Sequence, residues 1–106
     1  MSMKDVFEAL DKKSEDLQKI KREITDTELL AQAAEEAIEY AHACMKYRRA
    51  LDGGNPTDLS IIEAEEHLQE ETGDLLLLMH MVGVDAGEAG ATIYKKVPRW
   101  KNRLGI

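Results

Sequence analysis

The chain has 106 residues, enough for one domain and one core, so residues 1–106 are read as a single unit. Its formal net charge of -7 argues against general binding to nucleic acid, which needs basic surface. A single cysteine, Cys44, excludes a disulfide framework and a thiolate metal site, and is expected to be a small buried apolar residue. The N-terminus is charged throughout, and the run from Leu75 to Met79 falls far short of the ~20 apolar residues of a membrane span. The expectation is a cytoplasmic protein without membrane association.

In chain order, the spacing of Val6, Phe7, Leu10, Leu17, Ile20 and Ile24 predicts a first helix over Lys4–Ile24. Thr25 with Glu28 forms a capping-box pattern, so a second helix is expected from there to the stop at Gly53-Gly54. Its Ala-rich stripe allows close approach of a neighbour. Gly53 to Thr57 is a loop by composition. Ser60 with Glu63 opens a third helix ending near Gly83, and Asp85 with Glu88 caps a fourth through Leu104. Pro98 lies inside that last segment and is expected to kink or break it. The fold class is therefore all-α, a compact bundle of about four helices. So short a chain leaves apolar surface over, which oligomerisation would bury.

Charge is segregated. No Lys or Arg occurs between Arg49 and Lys95, whereas Lys95, Lys96, Arg99, Lys101 and Arg103 follow without an intervening acid. Within the acidic centre, Glu36 with Glu39 and Glu71 with Asp74 are pairs three residues apart, hence neighbours on a helix face. At ~100° per residue, Glu71 falls inside the apolar sector of the third helix, defined by Ala64, Leu68, Leu75, Leu78, Met79 and Val82, and Asp74 lies at its edge. Glu36 borders the sector of Leu29, Ala33 and Tyr40, while Glu66 occupies the far face. Carboxylates turned toward a helix interface repel and lose water, and need a cation or protons to persist there. Mg²⁺, which accepts a few carboxylates together with waters and phosphate oxygens, meets that need. A solvated acidic face is the alternative, since acidic i, i+3 pairs are common on helices.

An E-x-x-E helix followed by an E-x-x-D helix resembles the all-α nucleoside triphosphate pyrophosphohydrolases. The stretches KYRRALDGGNPT and YKKVPRWKNRL are similar to those of the compact MazG-like members. The resemblance covers roughly residues 28 to 104. The spacer between Glu39 and Glu71 is on the long side for the family, with the added length around the Gly53–Pro56 loop. The resemblance implies hydrolysis of nucleoside triphosphates, ribo- or deoxyribo-, to the monophosphate and pyrophosphate, as nucleotide-pool house-cleaning. It implies Glu36, Glu39, Glu71 and Asp74 as ligands of more than one Mg²⁺, with Mn²⁺ as a substitute, and Glu39 as the candidate that orients the attacking water. Lys96, Arg99 and Arg103 correspond to a basic tail that grips phosphate, and Lys46 is placed for similar work. Pro98 departs from the more usual helical residue at its place, which puts the geometry of Arg99 in question. A homodimer or homotetramer is implied as well. For Trp100, a core anchor is favoured over a base-stacking role. His42, His67 and His80 are minor candidates at most.

A non-catalytic helical interaction module and a nucleotide- or metal-binding relative without turnover are the competing functions. A di-iron bundle would need Glu-x-x-His, and the fourth position here is Asp74.

Overall fold

The structure is a computed structural model that describes residues 2–53 and 59–106. The rest of the expected loop at Gly53 to Thr57, beyond Gly53 itself, lies outside the described residues. Among these residues there are five helices and no strand: α1 (Met3–Lys12), α2 (Ser14–Glu23), α3 (Asp26–Asp52), α4 (Ile61–Val82) and α5 (Ala86–Leu104). None is long and apolar enough to cross a membrane.

The caps follow the local chemistry. Thr25 Oγ1 accepts from the Glu28 backbone N–H at 3.2 Å, which fixes the start of α3. At α4 the box is reciprocal: the Glu63 N–H donates to Ser60 Oγ at 3.1 Å and the Ser60 N–H donates to Glu63 Oε1 at 3.4 Å. Asp85 Oδ1 accepts from the Glu88 N–H at 3.0 Å and opens α5. Gly83 ends α4 at φ 79°, a left-handed conformation. From there its N–H reaches the His80 carbonyl at 3.1 Å and Val84 reaches back to Met79 at 3.4 Å, the paired bonds of a Schellman ending.

The first helix differs from expectation, and for Pro98 one of the two expected outcomes, a break, is excluded. The first helix is present in two pieces that meet at Lys13, whose φ of -100° and ψ of 6° leave the helical range. Lys13 still donates to the Ala9 carbonyl at 3.1 Å, so the chain bends there without opening into a loop. Pro98, by contrast, does not end α5, which continues to Leu104. Proline lacks the N–H that would bond the Tyr94 carbonyl, yet the turns on either side of Pro98 remain helical.

The packed unit is the α3–α4 pair. Leu29 and Ala43 on α3 and Ala64 and Met81 on α4 are its buried residues. Ala43 and Ala64 are 0% and 1% exposed, so small side chains let the two backbones come close. On the other side of α4 lie α1 and α2, separated from it by apolar hollows of about 390 and 400 Å³ lined in part by Val6, Leu10, Leu17, Leu76 and Leu77. No residue of α5 is buried. Trp100 is 62% exposed and therefore anchors no core in this chain, and the helix that carries it has no buried residue. Cys44 is half-buried, one turn beyond Tyr40. The radius of gyration is 16.7 Å, above the ~13 Å of a spherical domain this size, and much apolar surface is left facing outward.

Candidate metal centre

The α3–α4 interface decides where the acids stand. Glu36 lies between Leu29 and Ala43 in sequence, on the face of α3 that meets α4, and is half-buried. Glu71 lies one turn beyond His67 on the facing side of α4, and its side chain is 13% exposed. Asp74 follows three residues later at the exposed edge of the same face. One carboxylate oxygen from each of Glu36, Glu71 and Asp74 lies within 4.8 Å of the others. Two consecutive helices thus bring three anionic groups to one point at the rim of the small apolar core.

Electrostatics respond accordingly. Loss of water by burial raises the Glu36 carboxyl above its ordinary value, with repulsion from Asp74, Glu71, Glu39 and Glu35 adding to it. The sequence places no Lys or Arg within a turn of these groups on either helix. Among the described residues, the ion-pair contact to the trio comes from His67, whose Nε2 stands 3.9 Å from Glu71 Oε1 and carries charge only when protonated. That neighbour was legible in principle, because positions 67 and 71 are one turn apart.

The donor set fits a hard divalent cation. Three carboxylates offer oxygen donors only, the type that Mg²⁺ and Mn²⁺ take, so Glu36, Glu71 and Asp74 could hold such an ion. Glu39 stands outside this trio. It is exposed one turn along α3, close enough to act on Glu36. Glu35 and Glu70, the first acid of each double, are exposed.

None of the basic candidates is among the charged groups that act on Glu36. Lys96, Arg99 and Arg103 are exposed on α5, where they line a shallow hollow with Trp100 and Asn102. Lys46 is half-buried on α3, two turns past Glu39. His42 and His80 are exposed, and neither joins the acidic group. The chain matches no protein-family model, no curated protein and no solved structure.

Proposed function

We propose that the chain is a Mg²⁺-dependent nucleoside triphosphate pyrophosphohydrolase acting on the cytoplasmic nucleotide pool, a reading suggested by its resemblance to the MazG-like enzymes. The observation that carries this reading is the convergence of Glu36, Glu71 and Asp74 from α3 and α4 onto one point, with no lysine or arginine within a turn of them in sequence. Three carboxylates that repel one another at a partly dry interface are retained where a cation belongs.

In this reading Glu36, Glu71 and Asp74 hold the ion, and Glu39, open to solvent beside them, completes the set or orients a water for attack on a phosphorus. The bound cation supplies charge neutralisation for the triphosphate and a lower pKa for water. Attack between the α- and β-phosphates would release pyrophosphate and leave the monophosphate. Lys96, Arg99 and Arg103 serve as the phosphate grip, and because they lie on a helix outside the α3–α4 unit, an assembly of copies is the natural way to bring them to the acids. Mn²⁺ would substitute for Mg²⁺, since both take the same oxygen donors.

A panel of common and modified ribo- and deoxyribonucleoside triphosphates, incubated with Mg²⁺ and scored for pyrophosphate, tests the assignment. Equimolar monophosphate and pyrophosphate from at least one substrate, lost in EDTA, is the expected result. Release of orthophosphate instead, or no turnover of any member, counts against it. The second outcome would favour an acidic interaction module.

A further inference from the structure

We infer that Trp100 is a base platform on α5, stacking on the base of a purine mononucleotide whose phosphates lie on Lys96, Arg99 and Arg103. The inference rests on the nucleotide reading above, though not on turnover. Trp100 is the sole tryptophan, is 62% exposed, and lies on a helix with no buried residue. It lines a hollow of about 520 Å³ together with Lys96, Arg99, Asn102 and Arg103. An indole open to solvent among cations sets a flat apolar face beside positive charge. A nucleotide presents the complement, a flat base beside negative charge.

Spacing places the charges within reach of one ligand. Lys96 precedes Trp100 by four residues and Arg103 follows it by three, so both are its neighbours on the helix surface, ~5–6 Å away between Cβ atoms. That separation suits a base and the phosphates carried on its own sugar. Arg99, next in sequence, adds a planar fork for phosphate oxygens. No Asp or Glu follows Glu88, and among the described residues Lys96, Arg99 and Arg103 hold no ion pair. These cations are therefore available to an anion.

The competing role for an exposed tryptophan on an amphipathic helix is to seal an apolar contact. At ~100° per residue, Ala86, Val97 and Leu104 hold the centre of the apolar stripe of α5, and Trp100 is the member nearest Lys96 and Arg103. Covering the centre of that stripe leaves the cationic flank of the indole open. The size of the ligand follows from the aromatic groups present. No Phe, Tyr or His shares the hollow, so one ring takes one base. Single-stranded nucleic acid calls for successive rings along a basic groove, and this chain has a net charge of -7. Recognition by stacking alone follows the area of the base, which favours purines over pyrimidines.

Emission of the sole tryptophan reports the contact directly. In EDTA at constant ionic strength, ATP is expected to quench Trp100 saturably, and UTP to do so with severalfold weaker affinity. Inorganic tripolyphosphate should displace ATP yet leave the emission unquenched. By calorimetry, Trp100→Ala should weaken ATP about tenfold and tripolyphosphate less than twofold, and Trp100→Phe should recover most of the loss. A sealing role gives no quenching and no difference between the two ligands. Unquenched emission, equal losses for ATP and tripolyphosphate in Trp100→Ala, or an oligodeoxyadenylate that binds tighter than ATP would each overturn the inference. The hydrolase reading fails separately. Saturable quenching without pyrophosphate release in Mg²⁺ removes the hydrolase and keeps the base platform, whereas release with KM unchanged in Trp100→Ala does the reverse.

Discussion

Glu71→Gln is expected to lower pyrophosphate release by about 100-fold or more while leaving the helical content unchanged. The amide keeps the shape of the side chain and one oxygen but removes the charge from a carboxylate that is only 13% exposed at its side chain. Loss of a group that merely supports a ligand costs 10–100-fold in metal affinity or activity in known sites, so loss of a ligand's own charge is expected at or beyond the upper end. Glu36→Gln should behave in the same way. Glu66→Gln, on the exposed side of α4, removes the same charge from the same helix and should change the rate little. Steady-state rates for the three variants separate an ionic site from a general need for acidity. Equal losses in all three would point to overall charge, and near-wild-type rates for Glu71→Gln would remove the trio from the chemistry.

The second large effect is on stability. A cation that binds only the folded state adds RT ln(1 + [L]/Kd), or about 2.7 kcal/mol at a hundredfold excess over Kd. Mg²⁺ should therefore raise the melting temperature of the wild type by several degrees, at constant ionic strength. Asp74→Asn should stabilise the metal-free protein, because it relieves repulsion on Glu36, and should abolish the response to Mg²⁺. Acid has the same direction of effect as that substitution. The Glu36 carboxyl is raised in the folded state, so folded protein takes up its proton at a higher pH than unfolded chain does. Its unfavourable contribution is fully present above the folded pKa, diminishes as pH falls through it, and is gone below the unfolded value of about 4.3. Metal-free melts should thus show a local gain in stability on mild acidification, which millimolar Mg²⁺ masks at neutral pH. A solvated acidic face would give neither response, since exposed charges are screened and contribute only tenths of a kcal/mol.

Much of the fold was legible because it depends on neighbours in sequence. Thr25, Ser60 and Asp85 each bond the N–H three residues on, and Gly53 and Gly83 each take positive φ, so their chemistry marks helix ends without reference to the rest of the chain. The bend at Lys13 carries no such mark, having neither glycine nor proline within it. Burial is harder, because it depends on what packs where. Met79 belongs to the apolar sector of α4 by angle yet is 40% exposed, while Met81 at its flank is buried. Trp100 as a core anchor presumed that α5 folds against α3 and α4, and periodicity within one helix says nothing about its neighbours.

The candidate site divides along the same line. Glu36, Glu71 and Asp74 could be brought together on paper because each sits on or beside the apolar stripe of its own helix, and the stripes of consecutive helices tend to meet. Glu39, three residues from Glu36, is turned toward solvent instead, a rotation of ~60° that spacing alone leaves open. Where the α5 cations stand relative to the acids was not legible at all, because it depends on the path of the chain after Gly83 and on the assembly.

Direct measurement of Mn²⁺ binding addresses the central claim, since Mn²⁺ accepts the same oxygen ligands as Mg²⁺ and its free ion is quantified by electron paramagnetic resonance. Titration of wild type, Asp74→Asn and Glu66→Gln at fixed ionic strength is expected to give saturable binding in the wild type, displaced by excess Mg²⁺. That binding should be lost in Asp74→Asn and kept in Glu66→Gln. Wild-type protein that leaves the Mn²⁺ spectrum of buffer unchanged, or binding that Asp74→Asn and Glu66→Gln weaken equally, would contradict a metal centre built from Glu36, Glu71 and Asp74.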